Sequence, residues 1–312
     1  MSAAAPLEAR PATLEDALGQ PGFWKRLEKR LRRPVTRALR RRAADTVIET
    51  APWGRFAPGV LGSALIAIAR HAPVLRSTIR AIVTLGLDRL TGGPVDATYV
   101  GLRLRFYPAR SDSARLMLLA PKRYQAEEFA FLDTHGAGAG VFLDIGANAG
   151  GYSFWAASRG RSVLAFEPDP FMADSLVWSL TTAEVGAVDL RRVALSDRMA
   201  EAAFSQRLQS LVAGVDDVVT VSTTTLLDGL QEAGIASVAA LKIDVEGAED
   251  RVLMPFLRDA DPALYPAAIL IEHVASPLWR EDVMQALEHA GYRAVFRNAH
   301  NTGLVLRARA ED

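Results

Sequence analysis

The sequence contains no cysteine among its 312 residues. This absence excludes disulfide bonds, thiolate zinc sites and cysteine nucleophiles, and it is typical of a protein in a reducing compartment. The longest apolar run, residues 60–69, is shorter than the roughly 20 residues that a membrane-spanning helix needs. The acids Glu8, Glu15 and Asp16 interrupt the first residues, so the charged-then-apolar pattern of a secretory signal is missing as well. We therefore predict a cytoplasmic protein.

The chain has no net charge at pH 7, since 36 Lys/Arg balance 36 Asp/Glu, but these charges are unevenly distributed. Residues 1–95 hold 16 Lys/Arg and 7 Asp/Glu, so the remaining residues hold 20 and 29. The front of the chain is therefore basic and the body is acidic. Half of the residues are hydrophobic, which is enough for a substantial core.

Residues 23–42 carry most of the basic excess, and Trp24, Leu27 and Leu31 recur there at the spacing of one helix face. The pattern predicts a basic helix that packs its narrow apolar stripe on the domain, or that makes peripheral contact with an anionic membrane surface or another polyanion. Because aromatic interleaving and a recognisable motif are missing, we predict no specific nucleic-acid partner.

Residues 60–69 and 74–87 predict two more helices, apolar enough to form a helical cap, a homo-oligomer interface or a membrane-facing surface. Residues 91–94, Thr-Gly-Gly-Pro, break this pattern. We therefore predict a helical N-terminal extension over residues 1–94 and a main domain over residues 95–312.

The central unit of the chain is residues 141–152, Val-Phe-Leu-Asp-Ile-Gly-Ala-Asn-Ala-Gly-Gly-Tyr. A five-residue apolar run breaks into Gly146, Gly150 and Gly151, and a helix-compatible run follows over residues 152–158. This strand, glycine turn and helix is the opening unit of a nucleotide-binding α/β sheet. Glycine lets the backbone approach a ligand closely, and free N–H groups at a helix start can hold a polar group. A purely structural turn is equally compatible with these residues alone.

Strands and helices alternate after this turn, as in a doubly wound sheet. Strands are predicted at 162–167, 190–195, 218–221, 239–245, 268–273, 292–296 and 303–306, and helices at 171–182, 224–232, 249–258 and 280–290. Before the turn, the alternating residues 97–107 and the short run 115–119 predict two strands, and residues 122–133 predict a helix.

Acidic residues stand at four predicted strand ends: Glu167, Asp197, Asp244 and Glu272. In an open α/β sheet the carboxyl ends of the strands are where ligands bind. Glu167 lies 23 residues beyond Asp144, which is the spacing of an acid that accepts hydrogen bonds from a ribose diol. Asp144 lies inside the first strand, where it can hold the glycine turn in shape and face a cationic part of a ligand.

Five segments together resemble FkbM-type methyltransferases, which use S-adenosylmethionine. They are Asp-Ile-Gly-Ala-Asn-Ala-Gly at 144–150, Phe-Glu-Pro at 166–168, Val-Ala-Leu-Ser-Asp at 193–197, Thr-Leu-Leu-Asp at 225–228 and, most specific, Leu-Lys-Ile-Asp-Val-Glu-Gly-Ala-Glu at 241–249. The resemblance covers residues 95–306 and implies a Rossmann-like seven-stranded α/β sheet. A nicotinamide dehydrogenase is disfavoured, because its Gly-x-Gly-x-x-Gly pattern fits the turn less well.

Carried over position by position, the resemblance implies a cofactor loop formed by Asp144, Gly146, Asn148 and Gly150. Glu167 is expected to hold the ribose hydroxyls. Asp244 is expected beside the methionine end and the transferred methyl, while Ser196 and Asp197 flank the adenine. The cofactor carries a sulfonium and an ammonium group, so an acid-lined pocket in the acidic body of the chain favours its binding.

Methyl transfer to a hydroxyl is an in-line displacement that also needs removal of the acceptor's proton. The candidate bases are Asp244, Glu246, Glu249 and His273. His273 is included because it follows Glu272 at the ligand edge, although a lone histidine is more often structural. Lys242 is expected to pair with a carboxylate. The three acids among the candidates have oxygens suited to a divalent cation, but the prediction is catalysis without a metal.

FkbM-type enzymes are mostly associated with O-methylation of sugars and secondary metabolites. The resemblance therefore implies an O-methyltransferase that acts on a sugar, a glycan or a secondary metabolite. The family does not require a basic front, whose expected roles are substrate selection, formation of a homo-oligomer or docking at a membrane surface. The alternative is a non-catalytic assembly partner that keeps the fold and docks through its basic helices. That alternative predicts degraded cofactor motifs, whereas the motifs in this sequence are intact.

Overall fold

The computed structural model describes residues 38, 46–71, 77–206, 210–211 and 218–307. The helices are α1 Gly59–His71, α2 Ser77–Thr91, α3 Asp112–Leu119, α4 Ala126–His135, α5 Gly151–Ala157, α6 Pro170–Thr182, α7 Leu226–Glu232, α8 Glu249–Asp259 and α9 Val283–His289. The strands are β1 Val95–Tyr99, β2 Leu102–Phe106, β3 Val141–Ile145, β4 Val163–Phe166, β5 Val188–Arg191, β6 Ala194–Leu195, β7 Ala200–Ser205, β8 Ser210–Leu211, β9 Val218–Thr224, β10 Val238–Ile243, β11 Ala268–Glu272, β12 Tyr292–Arg297 and β13 Asn301–Leu306.

Seven strands form the central sheet, in the order β12-β13-β11-β10-β3-β4-β5. The five strands from β11 to β5 are parallel, whereas β13 is antiparallel to both of its neighbours. The chain winds from β3 to β5 in one direction and from β10 to β11 in the other, so the winding reverses between β3 and β10. The predicted Rossmann-like seven-stranded sheet is therefore confirmed, and its switch point is where ligands bind in such folds.

The two faces of the sheet carry alternate residues of each strand. Phe142 and Ala240 belong to the apolar cluster that includes helices α3 to α6. Leu143 and Leu241 belong to the cluster on the other face, which includes α7, α8 and α9. Because helices cover both faces, all six residues of β10 are buried, as expected of a central parallel strand.

Helices α1 and α2 join the same core as the body of the protein. Ile66 of α1 and Leu87 of α2 are buried in one apolar cluster with Leu118 of α3. The two helices predicted over residues 60–69 and 74–87 are thus confirmed with different ends. The division of the chain at residue 94 stays a prediction, and the basic helix predicted over residues 23–42 lies outside the described residues. Among the helices of the described part, none has the length and apolar character needed to cross a membrane.

Arg105 of β2 fastens the segment before α1 to the rest of the fold. Its Nε donates to Asp96 Oδ1 at 2.7 Å, and its Nη1 donates to the carbonyl oxygens of Glu49 and Ala51 at 2.7 and 2.9 Å. The guanidinium carbon lies 3.9 Å from the centroid of the Trp178 ring, a cation–π contact. One buried cation therefore connects residues 46–56, the β1–β2 hairpin and α6.

The single strand predicted over residues 97–107 is wrong, because these residues form most of a hairpin. Strands β1 and β2 are antiparallel, and the turn between them is Val100-Gly101 with φ of 45° and 85°. Two consecutive residues with positive φ give a turn whose twist matches that of a hairpin. The alternation of apolar and polar residues continues through the turn, so the pattern did not show where the chain reverses.

The strand predicted over residues 115–119 is also wrong, because these residues belong to helix α3. Ser111 caps the helix by accepting a hydrogen bond from the N–H of Ala114 at 3.1 Å, and Asp112 lies in the first turn, where an acid is favourable. Consecutive buried residues at the end of α3 produced the strand-like run. Periodicity alone does not separate a short buried helix from a strand.

The strand predicted over residues 190–195 is divided between two sheets. Strand β5 pairs with β4 at the edge of the central sheet, whereas β6 pairs with β9 in a second sheet of order β6-β9-β7-β8. Strands β7 and β8 lie in the polar region 198–217, for which the sequence predicted no regular structure. Asp197 therefore follows a strand of the second sheet rather than one of the central sheet.

Candidate functional site

A cleft lies at the carboxyl edge of the central sheet, where β3, β4 and β10 end. Its empty volume is about 840 Å³, a figure that includes space open to solvent. Its walls come from the glycine turn, from the segments after β4 and β10 and from the second sheet. Further wall residues come from α3 and from the segment just before α4. The polar residues in its wall include Asn148, Glu167, Lys242, Asp244 and Glu246.

Two glycines of the turn occupy positions where a side chain would not fit. Gly146 has φ of +77°, and a Cβ there would lie 2.0 Å from the carbonyl oxygen of Asp244. Gly150 has φ of +78°, and a Cβ would lie 2.3 Å from Cδ2 of Leu176. Left-handed backbone and missing space both require glycine here. The ends of β3 and β10 can therefore lie against each other at the floor of the cleft.

Lys242 of β10 fixes the start of the glycine turn through hydrogen bonds to backbone carbonyl groups. Its Nζ donates to the carbonyl oxygen of Gly146 at 2.7 Å and of Ile145 at 3.3 Å. It also lies 3.6 Å from Oδ1 of Asp144. The predicted pairing of Lys242 with a carboxylate is confirmed, and the same ammonium group fixes the backbone that lines the cleft.

Asp144 is fully buried and caps the helix that follows the turn. Its Oδ2 accepts hydrogen bonds from the backbone N–H of Ser153 at 2.9 Å and from the Ser153 hydroxyl at 2.6 Å. This geometry agrees with the prediction that Asp144 holds the turn in shape. Asp144 does not line the cleft, so the expectation that it faces a cationic part of a ligand is not met by direct contact.

Glu167 lies at the end of β4, buried in the wall of the cleft. Its Oε2 accepts from the N–H of Asn148 at 2.6 Å and its Oε1 from the N–H of Asp169 at 2.8 Å. Burial raises the pKa of Glu167 to about 7, although these two hydrogen bonds oppose the shift. Each oxygen keeps a lone pair for a further donor.

Asn148 connects the glycine turn to the start of α3. It adopts a left-handed backbone with φ of 49°, which asparagine tolerates better than most residues. Its Oδ1 accepts a hydrogen bond from the Ser111 hydroxyl at 2.8 Å. The cap of α3 and the cofactor loop predicted from the sequence therefore share a contact.

Apolar residues of the cleft wall come from both sheets. Phe166 belongs to the central sheet, whereas Leu195, Phe204 and Leu211 belong to the second sheet. Ser196 and Asp197, which were expected to flank an adenine, do not line the cleft. The residues just before them, Val193 to Leu195, take that place because β6 leaves the central sheet at this point.

Four acidic residues lie close together at and after the ends of β10 and β11: Asp244, Glu246, Glu249 and Glu272. Burial raises the pKa of Glu246 to about 7, and the negative charges of Asp244, Glu272 and Glu249 add to this. Glu246 lines the cleft, but much of its side chain and backbone is open to solvent. Its backbone is left-handed, with φ of 53°. Burial and the charge of Asp244 likewise raise the pKa of Glu272 to about 7. Strained backbone and perturbed carboxylates together are typical of functional sites.

Glu249, a predicted base, is instead engaged in holding the loop that precedes it. Its Oε1 accepts from the N–H of Val245 at 2.9 Å, and its Oε2 accepts from the N–H of Gly247 at 3.1 Å and from Nε1 of Trp279 at 2.7 Å. It is fully buried and does not line the cleft. Its geometry suits positioning of Glu246 rather than proton transfer.

His273 is the one predicted base that does not belong to the segment after β10. It does not line the cleft either. Its Nδ1 is 3.1 Å from the hydroxyl of Thr302 in β13. Burial lowers the pKa of His273, and the positive charges of Arg297 and His300 add to this. This shift favours the neutral form of the ring, which lies against Thr302 of β13.

The carboxylates of Asp244, Glu249 and Glu272 approach one another within 4.8 Å, the one such group of three in the described part of the chain. This trio differs from the acids considered as cation ligands from the sequence, because Glu272 takes the place of Glu246. Since the oxygens of Glu249 already accept three N–H donors, the group has less free coordinating capacity than its spacing indicates.

Sequence reasoning missed the wall contributed by residues before the central unit. Ser113, Tyr124 and Gln125 line the cleft. Tyr124 lies over the turn so closely that a Cβ at Gly151 would be 2.3 Å from its hydroxyl oxygen. Gln125 has a left-handed φ of 48°. The third glycine of the turn is the one sequence signal of this contact, and it does not say which distant segment lies above.

The fold and the cleft define a doubly wound α/β protein with a ligand site at its switch point. Residues 144–294 match the methyltransferase FkbM domain. This match covers just under half of the chain and agrees with the family resemblance that the sequence motifs indicated. No curated protein matches the chain.

Several solved structures are similar to this one at low sequence identity. A methyltransferase FkbM from Methylobacillus flagellatus KT has 15% identity and a TM-score of 0.38, and the match covers 62% of this chain and 54% of that one. This chain thus spans about half of that protein. A precorrin-6y C5,15-methyltransferase from Geobacter metallireducens GS-15 has 13% identity and a TM-score of 0.38, over 60% and 88% of the two chains. A tRNA (uracil-54, C5)-methyltransferase from Pyrococcus abyssi, in complex with S-adenosyl-L-homocysteine, has 14% identity and a TM-score of 0.38, over 68% and 42%.

Proposed function

We propose that this chain is an S-adenosylmethionine-dependent methyltransferase that methylates a hydroxyl group of a sugar, a glycan or a secondary metabolite. The observation that carries the proposal is the cleft itself, which combines a buried carboxylate after β4, a glycine turn after β3 and an acidic loop after β10 in a methyltransferase FkbM domain. A non-catalytic assembly partner would not need these groups in one cleft.

The residues of the cleft fit the chemical parts of this cofactor. The apolar wall with Phe166, Leu195 and Phe204 suits an adenine ring. Glu167 offers two carboxylate oxygens to a ribose diol. Asp244 and Glu246 suit the cationic methionine end, because opposite charges attract strongly in a partly dry site. When bound, S-adenosylmethionine supplies a methyl group from its sulfonium sulfur.

Binding of a diol would also change the protonation of Glu167. Its pKa of about 7 reflects burial, and hydrogen bonds from two hydroxyls favour the charged form of a carboxylate. We therefore expect Glu167 to be ionised in the complex and partly protonated without ligand at neutral pH.

Glu246 is the base that we propose for the acceptor hydroxyl. It lines the cleft, and its pKa of about 7 is close to the value that suits proton transfer at neutral pH. Asp244 lies beside it and shares the negative charge that raises this pKa. Glu249 is proposed as a positioning residue, and His273 is left without a catalytic role.

Labelled methyl transfer tests the proposed reaction. The protein is incubated with S-adenosylmethionine carrying a ¹³C methyl group and with panels of monosaccharides, glycans and polyhydroxylated metabolites. The chemical shift of the transferred carbon then distinguishes O-, N- and C-methyl products. An O-methyl product supports the proposal, whereas transfer only to nitrogen or carbon would contradict the hydroxyl assignment.

The pH dependence of the reaction tests the base. Because a base acts only after losing its proton, kcat/KM for the acceptor should be low in acid and rise as the pH passes about 7. Glu246→Gln should lower kcat/KM by roughly 10²–10⁴-fold and flatten this rise. The exposed Glu288→Gln is the matched control and should leave the profile unchanged. An unaltered profile in Glu246→Gln would remove the assignment.

A further inference from the structure

The outward face of α1 is apolar and exposed to solvent. Val60 is 92% exposed, Leu61 62% and Ile68 65%. At 100° per residue these three side chains and those of Ala64 and Ala67 fall within one arc of the helix. The arc contains no charged side chain among the residues whose exposure the structure describes.

The inward face of α1 is apolar as well, but it is packed. Ile66 and Ala69 are buried in the core, and a Cβ at Gly62 would lie 2.8 Å from Pro58. A helix that is apolar on all sides is normally covered on all sides. Contiguous exposed patches of this kind mark interaction surfaces.

The charges around this face are positive. Arg55 and Arg70 are exposed near its two ends, and Arg70 is held there by the hydrogen bond from its Nε to the carbonyl oxygen of Leu118 at 2.9 Å. Residues 25–42 of the same chain carry ten Lys/Arg and one Glu. In the sequence these basic residues precede α1, and polybasic segments at a membrane surface attract anionic lipids.

We propose that the outward face of α1 docks this protein on the surface of an anionic lipid bilayer, with Val60, Leu61 and Ile68 inserted among the head groups. The inference is independent of the proposed reaction. A bilayer fits better than a second copy of the chain, because two copies would bring the same positive charges together. The lipid phosphates complement those charges, and the lipid interior accepts the apolar side chains.

Vesicle co-sedimentation of the full chain tests the proposal. The protein should pellet with vesicles of phosphatidylcholine and phosphatidylglycerol at low salt, and weakly with phosphatidylcholine alone. The triple variant Val60→Gln, Leu61→Gln, Ile68→Gln should lower the partition coefficient about tenfold or more, because three apolar side chains no longer leave water. The control Val177→Gln, Met199→Gln changes exposed apolar residues elsewhere and should bind like the wild type. Equal binding of the triple variant would overturn the role of α1.

A site-specific probe separates insertion from other contacts. Because the chain has no cysteine, Leu61→Cys and Met199→Cys each give one attachment point for a polarity-sensitive dye. The proposal predicts a blue shift with anionic vesicles for the label at position 61 and none at position 199.

Analytical ultracentrifugation measures the oligomeric state and can contradict the proposal. A wild-type dimer that the triple variant converts to monomer, without a blue shift at position 61, would assign the face to a second copy and overturn the proposal. If the label at position 61 is already shielded from water in the monomer without vesicles, another segment of this chain covers the face, and the proposal is overturned.

Discussion

At the scale of single residues, Gly146 decides whether the cleft can form. Its left-handed backbone and its contact with the Asp244 carbonyl oxygen bring β3 and β10 together. Gly146→Ala should therefore destabilise the protein by about 2–5 kcal/mol, through backbone strain and overpacking together. Urea unfolding measures this difference.

Gly160 is the matched control for this change. Its φ is +73°, but a Cβ there would meet nothing within 4 Å. Gly160→Ala should cost about 1–2 kcal/mol, from the left-handed backbone alone. Equal losses for the two variants would mean that the contact with Asp244 is unimportant.

Single carboxylates differ in how far the sequence could predict them. Glu167 was found from its distance along the chain to Asp144, since the length of a βαβ unit fixes that spacing. The different roles of Glu246 and Glu249 were not predictable, because they lie three residues apart in one acidic run. What separates them is the set of N–H donors around Glu249, including that of Trp279, thirty residues away.

At the scale of elements, the loop between β10 and α8 carries the proposed base and is held by Glu249. In Glu249→Gln an NH₂ group replaces one of the accepting oxygens and faces N–H donors. The protein should lose about 1–3 kcal/mol of stability, and kcat should fall because Glu246 is misplaced. The rise of kcat/KM through about pH 7 should persist in this variant, because the proposed base is still present.

Trp279→Phe gives a milder test of the same loop. It keeps an aromatic ring and removes one donor to Glu249, so the loss should be smaller and in the same direction. A Glu249→Gln protein of normal stability that lacks the pH-dependent rise would show that Glu249 is itself the base.

The elements that the sequence predicted well are those buried on both faces or bounded by strong caps. Strands β3, β10 and β11 are mostly apolar and buried along their whole length, and α6 begins at Asp169-Pro170. The failures have a common cause. Distant partners decide three features: the β1–β2 turn, helix α3 and the division of β5 from β6. The local periodicity of the sequence does not change at these boundaries.

At the scale of the whole molecule, the cleft is assembled from parts of the chain that are far apart in sequence. The glycine turn and the acidic loop form its floor, while Tyr124, Phe204 and Leu211 come from segments on either side of the central unit. The motifs could indicate the floor because they are contiguous. They could not indicate the walls, since no local pattern shows which segment folds over which.

The described helices α1 and α2 are part of this assembly. Their buried residues share one cluster with α3, whose residue Ser113 lines the cleft, and Arg105 fastens residues 46–56 to the same body. The helix that carries this outward face thus packs in the same body as the site. Docking of that face on a bilayer would bring the cleft close to the lipid surface.

Isothermal titration calorimetry with S-adenosylmethionine tests the central claim most directly, because it needs no knowledge of the acceptor. The wild-type protein should bind one equivalent. Glu167→Ala should weaken binding by about 1–3 kcal/mol through loss of charge-assisted hydrogen bonds, while Glu288→Gln should bind like the wild type. Absence of binding to the folded wild-type protein, or equal affinity in Glu167→Ala, would contradict the account.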